Sequence, residues 1–167
     1  SGKIQLSAAD AAFAGAVDAA QLMANSAKKA GIDIEVVREP NDGYWSNVWN
    51  NDAKGWCACY WGGRPAETMM FSAAYVAESK WNDTMWKTTD SAVKFNQLVK
   101  DARKELDESK KRDILYECQR LIYDDGGLLC PLFNSYVSAN SKKIAHGKIA
   151  ANWDSDGAKC VERWWFA

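Results

Sequence analysis

Ile32-Asp33-Ile34-Glu35-Val36 alternates apolar and acidic residues without a break. That is the period-2 pattern of a half-buried strand. The residues before it complete a unit. Lys3 to Leu6 alternates and reads as a first short strand. Ser7 is placed to cap a helix, with Asp10 three residues on as an imperfect capping box. Phe13, Val17, Ala20, Met23, Ala24 and Ala27 then follow helical spacing. The many alanines imply close packing against a sheet. Gly31 stands where a helix ends on a left-handed residue. The first 37 residues therefore read β-α-β, a parallel strand pair with a right-handed crossover.

Downstream, Cys57 to Trp61 is a short apolar run that reads as a further, buried strand. It runs into Gly62-Gly63-Arg64-Pro65. Glycine admits backbone conformations closed to other residues and lets a ligand come near the main chain. Pro65 pushes Arg64 toward an extended conformation. In open α/β sheets, ligands collect at such strand ends. Trp61 offers a flat face there, and Arg64 a planar fork suited to a carboxylate or phosphate. The plainer alternative is that Trp61 is core and Arg64 pairs with a nearby acid. Between the two regions, Pro40-Asn41-Asp42-Gly43 is a turn by composition. Tyr44, Trp45, Val48 and Trp49 follow on one face of a short helix. That face either packs on the sheet or brings Tyr44 and Trp45 to the wall of a cleft.

After the adaptable apolar group Met69, Met70 and Phe71, residues 74–89 are irregular. They contain Trp81-Asn82-Asp83 and Trp86 and read as a long surface loop, a length that favours function over plain connection. Phe95, Leu98, Val99, Ala102 and Leu106 form one helical stripe. Leu115, Cys118, Leu121 and Ile122 form another, starting after Asp107 or Ser109 and ending at Gly126-Gly127. Lys110-Lys111-Arg112 is a solvated face. Leu128-Leu129-Cys130-Pro131-Leu132-Phe133 reads as a short strand, which Pro131 marks as an edge or as a point where pairing breaks. Tyr136 and Val137 belong to a second extended piece. No repeat or low-complexity linker divides the chain.

A length of 167 residues suits one domain with a real core. The net charge of −1 gives no field to attract nucleic acid. No apolar run approaches the roughly 20 residues of a membrane span. The opening Ser1-Gly2-Lys3 reads as an expression remnant or the start of an excised piece. Nine tryptophans are the compositional outlier. They serve either bulky core packing or the handling of sugars, peptides and other small organic ligands. The five cysteines, Cys57, Cys59, Cys118, Cys130 and Cys160, leave at least one unpaired. They read as buried thiols, with room for one or two disulfides. His146 is the single histidine, so no zinc set forms. Asn152-x-Asp154-x-Asp156-Gly157 imitates the opening of a calcium loop. Position 12 is Arg163, however, where a bidentate Glu is required, so a polar turn is expected. No nucleophile elbow, phosphate loop or dinucleotide fingerprint occurs. Asp124 and Asp125 are neighbours at a helix end and make a poor acid/base pair. With one histidine and no matched base, the residues do not read as an enzyme's.

The order of several short motifs carries a family resemblance. They are Asp10-Ala11-Ala12-Phe13, Ala30-Gly31-Ile32, Arg38 to Trp45, Tyr60 to Pro65, Trp81-Asn82-Asp83 and Phe95-Asn96-Gln97-Leu98. Ala102-Arg103-x-Glu105-Leu106-Asp107, Arg112, Tyr116 and Gly126-Gly127-x-x-x-Pro131-Leu132-Phe133 continue it. Together they resemble the C-terminal lobe of an ABC-transporter substrate-binding protein of the peptide/nickel type, family 5. The resemblance covers nearly the whole chain. It implies an α/β fold: a single lobe of the periplasmic-binding-protein-like (type II) kind, with a mixed, mainly parallel sheet and packed helices. Residues 1–167 would then be one domain of a longer two-lobe, periplasmic protein, whose missing N-terminal part carries the export signal. The implied partners are a small-molecule or peptide ligand, that N-terminal lobe and the permease subunits; no nucleic acid, cofactor or metal is implied. The expected cleft wall is Tyr44, Trp45, Trp61, Gly63, Arg64, Trp81 and Asn82. Peptide-binding members place an Asp in the segment that the loop after Trp61 resembles, to hold the ligand's amine. Gly62-Gly63-Arg64 departs from this and implies a ligand with an exposed carboxylate or other anion. A free-standing Trp-rich carbohydrate- or peptide-binding module is the alternative.

Overall fold

The structure, a computed structural model, describes residues 2–167. The β-α-β unit forms as β1 (Ile4–Ala8), α1 (Ala16–Lys29) and β2 (Ile34–Arg38). β1 and β2 are parallel, with Ile4 opposite Ile34 and Ala8 opposite Arg38. On the other side of β1, Ser7 makes a single parallel bridge to Cys57. There Ser7 N donates to Trp56 O at 3.0 Å and Ala58 N to Ser7 O at 2.8 Å. β1 is thus the middle of three parallel segments. The strand expected over Cys57–Trp61 shrinks to this bridge.

The first strand runs two residues further than its alternation foretells, because the small Ala8 is wholly buried beside Leu6. Ser7 is therefore a strand residue and not a helix cap; its hydroxyl donates to Glu39 Oε1 at 3.0 Å. The helix starts only at Ala16, and Phe13 stays exposed before it. α1 buries Ala16, Ala20 and Ala24, four apart on one face, so the helix lies close to the sheet. Gly31 ends it as expected, at φ 77°. The N–H groups of Gly31 and Ile32 donate to Lys28 O and Ala27 O, satisfying carbonyls the helix leaves open. Ile32 is exposed and precedes β2.

A second core gathers on α3 (Glu67–Ala74), α4 (Asp90–Lys104) and α5 (Glu108–Asp125). Phe95 is its centre, with Phe71 and Trp86 at ring-centroid distances of 5.5 and 5.2 Å. Thr89 caps α4 and Asp107 caps α5 through their side chains. Leu106 falls between the helices and is exposed. Asp125 ties the end of α5 to the start of α4, accepting from Ser91, Thr89 and the Trp86 indole. These bonds, Ser91 first, hold its carboxyl below the usual range. Among the described residues, no helix is long and apolar enough to cross a membrane.

The short strand expected at Leu128–Phe133 finds no ladder partner among the described residues, and Tyr136-Val137 finds none either. Pro131 has no N–H to offer, and Leu129, Leu132, Phe133 and Val137 are exposed. The chain then closes a small antiparallel pair, β3 (Ile144–His146) with β4 (Trp164–Phe166). Between them lie a left-handed turn at 155–158, with φ of 48–71°, and the short helix α6 (Cys160–Arg163). Asp156 is buried under this unit at φ 60°, a conformation Asp tolerates. Its carboxylate accepts from Ala150 N at 2.6 Å and Trp164 Nε1 at 3.0 Å, and pairs with Arg163 at 3.1 Å. Arg163, the residue at the twelfth position of the calcium-like pattern, is thus the counter-ion of Asp156. All five cysteines are free; Cys118 is buried, which pushes its thiol up to about 11, whereas Cys130 is exposed, against the expectation of burial.

The Ala150 amide first, then Trp164 and Arg163, hold the Asp156 carboxyl below its ordinary value. A carboxyl depressed in the folded state contributes stability above its unfolded pKa, about 4. That contribution is lost as pH falls through the folded value. Acidification below about pH 4 should therefore release the β3–β4 unit. Hydrogen exchange at the Ala150 amide should rise there, and in Asp156→Asn it should already be fast at neutral pH.

Candidate functional site

The site is built from the short helix α2 (Tyr44–Asn47) and the segment that follows the Cys57 bridge. Gly43, at φ 72°, turns the chain into α2. Tyr44 and Val48 then point inward, and Trp45 and Trp49 point toward the loop at 60–61. Trp45 meets Tyr60 edge-to-face at 5.6 Å and Trp49 at 5.8 Å. Trp49 in turn meets Trp61 at 6.3 Å and stacks on Trp81 at 5.8 Å with 22° between planes. A continuous aromatic surface results, with Trp45, Tyr60 and Trp81 exposed.

Asp83 pins this surface together. Its Oδ2 accepts from Trp49 Nε1 at 2.6 Å, Trp61 Nε1 at 3.3 Å and Cys59 Sγ at 3.4 Å. An indole N–H can only donate, so each partly buried indole needs such an acceptor. Burial, with the Asp83 charge beside it, pushes the Cys59 thiol well up, so it stays a neutral donor. An open depression of about 780 Å³ also reaches Asp83, lined by Trp56, Met85, Tyr123 and Leu128 among others and by none of the aromatic side chains named above.

Arg64 lies over the Trp61 ring, with Cζ 5.7 Å from its centroid, and Nη1 donates to Gly62 O at 2.6 Å. Among the described residues no ion pair involves Arg64. The alternative of an acid partner therefore fails, and most of its donors are open. Lys80 sits on Trp81 at 4.7 Å in the same manner.

Five of the seven expected wall residues lie on or beside this surface: Trp45, Trp61, Gly63, Arg64 and Trp81. Two are corrected. Tyr44 is fully buried, and its hydroxyl donates to Ala58 O at 2.6 Å, with Ser7 O at 3.3 Å. It joins α2 to the strands and faces no cleft. Asn82 is buried as well, its amide donating to the carbonyls of Tyr75, Val76 and Trp86. The sequence reading missed Asp83, Trp49, Tyr60, Tyr136 and Trp153. Asp83 and Tyr60 sit in the quoted motifs and Trp49 on the helical face with Tyr44, and the donor-only indole nitrogens nearby are a usable signal for Asp83. Tyr136 and Trp153 come to the glycine loop from more than 70 residues away in the chain, and no local pattern announces that. Among the described residues no group of three or more His, Cys, Asp or Glu could hold a metal ion.

No protein-family model matches the sequence, and no curated protein does. A solved structure does match: NikZ from Campylobacter jejuni in complex with Ni(L-His). The likeness has a TM-score of 0.55 at 14% identity, over 75% of this chain and 25% of that one. The fold is thus mixed α/β, with small sheets and packed helices, consistent with a single periplasmic-binding-protein-like lobe. The chain spans about a quarter of the length of the structure it matches.

Proposed function

We propose that this chain is the C-terminal lobe of a two-lobe, periplasmic solute-binding protein of an ABC import system, family 5 in kind. It contributes one wall of a cleft that closes on a small anionic or peptide-like solute, and it performs no chemistry on that solute. The observation that carries the reading is Arg64. Its guanidinium lies over Trp61 in the loop that follows the parallel bridge at Cys57, and among the described residues it has no acid partner, beside a surface of exposed indoles. Such a group meets an oxyanion with little reorganisation. The likeness in fold to NikZ supports the same reading. Delivery to a permease, and a missing first lobe carrying the export signal, follow from it.

Native mass spectrometry of the full-length protein, purified without refolding, tests the proposal. The expected result is a co-purified small mass, anionic or peptidic, that denaturation releases. An apo mass under every growth condition, with no solute raising the melting temperature, would refute it. The exposed faces of Trp45, Tyr60 and Trp81 favour a second reading, a carbohydrate- or peptide-binding module that acts by itself. A neutral glycan as the released mass would select it.

A further inference from the structure

We infer that Tyr136 and Trp153 form the second wall of the site, and that the slot they make with Trp61 and Arg64 is a subsite for one carboxylate. This rests on the solute-binding reading and adds to it a place and a ligand class.

The argument begins at Gly62. A β-carbon there would stand 3.0 Å from Trp153 Cη2 and 3.5 Å from Arg64 Nη1. The Trp153 indole and the guanidinium therefore converge on the same point of the main chain, where any larger residue would have to push the indole aside by a few tenths of an ångström. Arg64 also lies over Trp61, so Trp61, Trp153 and the guanidinium gather at this one loop. The bond to Gly62 O uses one of five N–H groups. Stacking shields the faces of a guanidinium and leaves its edge for an anion.

Two further sources of donors surround the loop. A β-carbon at Gly63 would stand 3.8 Å from Tyr136 Oη. That hydroxyl makes no hydrogen bond among the described residues, and Tyr136 leans on Trp153 at 6.5 Å between centroids. Nor do the main-chain N–H groups of Gly62, Gly63 and Arg64 donate to any protein acceptor there. A cation, a phenol and free amides thus surround one loop, with no carboxylate paired to the cation. A planar, two-oxygen anion satisfies a guanidinium edge and a hydroxyl together. The flanking indoles suit a flat or aliphatic body attached to it. A cationic group would meet Arg64 and is disfavoured.

The test uses the full-length protein with three probes that share one ring: phenylacetate, 2-phenylethanol and phenyl phosphate. Binding is read by calorimetry and by tryptophan fluorescence. Phenylacetate should bind in preference to both others. Tyr136→Phe should weaken it about tenfold or more, the loss of one hydrogen bond to a charged group. Arg64→Ala should weaken it about a hundredfold, and Arg64→Lys should restore only part, because the ammonium lacks the planar fork. Trp153→Ala should weaken phenylacetate as well. Tyr136→Phe should leave the melting temperature unchanged, since the hydroxyl holds nothing in the fold. Equal binding of the alcohol, tighter binding of the phosphate, no binding of phenylacetate, or wild-type affinity in both Tyr136→Phe and Trp153→Ala would overturn the subsite. A co-purified solute found alongside any of these results would leave the solute-binding reading standing and sink this inference alone.

Discussion

Asn82→Ala should cost about 3–5 kcal/mol of folding stability, the sum of several buried groups each losing about 1–3 kcal/mol when its partner is removed. The side chain is 1% exposed. Its two N–H groups serve three carbonyls, those of Tyr75, Val76 and Trp86, at 3.2–3.3 Å. Its oxygen accepts from Thr84 Oγ1 at 2.8 Å. This amide ties together three turns of the loop between α3 and α4, beside the bonds of Ser79 and Asn96. Alanine supplies neither donor nor acceptor for these buried groups. Urea denaturation should show a lower midpoint with an unchanged slope. A loss of several kcal/mol is a large share of the 5–15 kcal/mol that ordinarily holds a domain together. Asp83 is the next residue along, so the aromatic surface should loosen with the loop. A variant that melts like the wild type but binds solute poorly would mean that Asn82 touches ligand after all.

Tyr44→Ala should be equally damaging, at about 3–5 kcal/mol for a buried aromatic reduced to a methyl group. Tyr44→Phe should cost only about 1–2 kcal/mol, because the ring stays and a single hydrogen bond goes. The ring lies in the small core with Ala9, Ala12, Ala16 and Val48. The hydroxyl reaches Ala58 O, next to the Cys57 bridge. Burial raises its phenol far above the ordinary range, so it remains a donor at any working pH. Thermal melts of the two variants separate packing from hydrogen bonding. Equal losses in both would mean that the hydroxyl carries the whole contribution and the ring packs loosely. Unchanged stability in Tyr44→Ala would return the residue to the cleft wall.

These two residues show what local pattern can and cannot decide. The helical face Tyr44, Trp45, Val48, Trp49 was legible, and α2 does form. Its inner edge and its outer edge differ by one residue, Tyr44 buried and Trp45 exposed. Periodicity gives a face, but which part of that face meets the core depends on what α2 packs against. Asn82 sat in a recognisable triplet, yet an amide with free carbonyls close by in space is indistinguishable in sequence from one aimed at a ligand. Ser7 was misplaced because a serine before an alanine-rich helix looks like a cap, whereas here the strand continues through it.

The sequence by itself determined the β-α-β opening, the left-handed exit at Gly31, and the two amphipathic helices with the break between them. It also placed Arg64 at the end of an apolar run. Each of these depends on residues within a few turns of one another, where spacing and backbone preference decide. Only the tertiary structure decided that Asp83 would gather Trp49, Trp61 and Cys59, that Arg163 would neutralise Asp156, and that Trp153 and Tyr136 would reach the loop at Gly62-Gly63. Such contacts join residues far apart in the chain. They are fixed by which donors remain unsatisfied once the cores have closed, a quantity that exists only in the folded molecule.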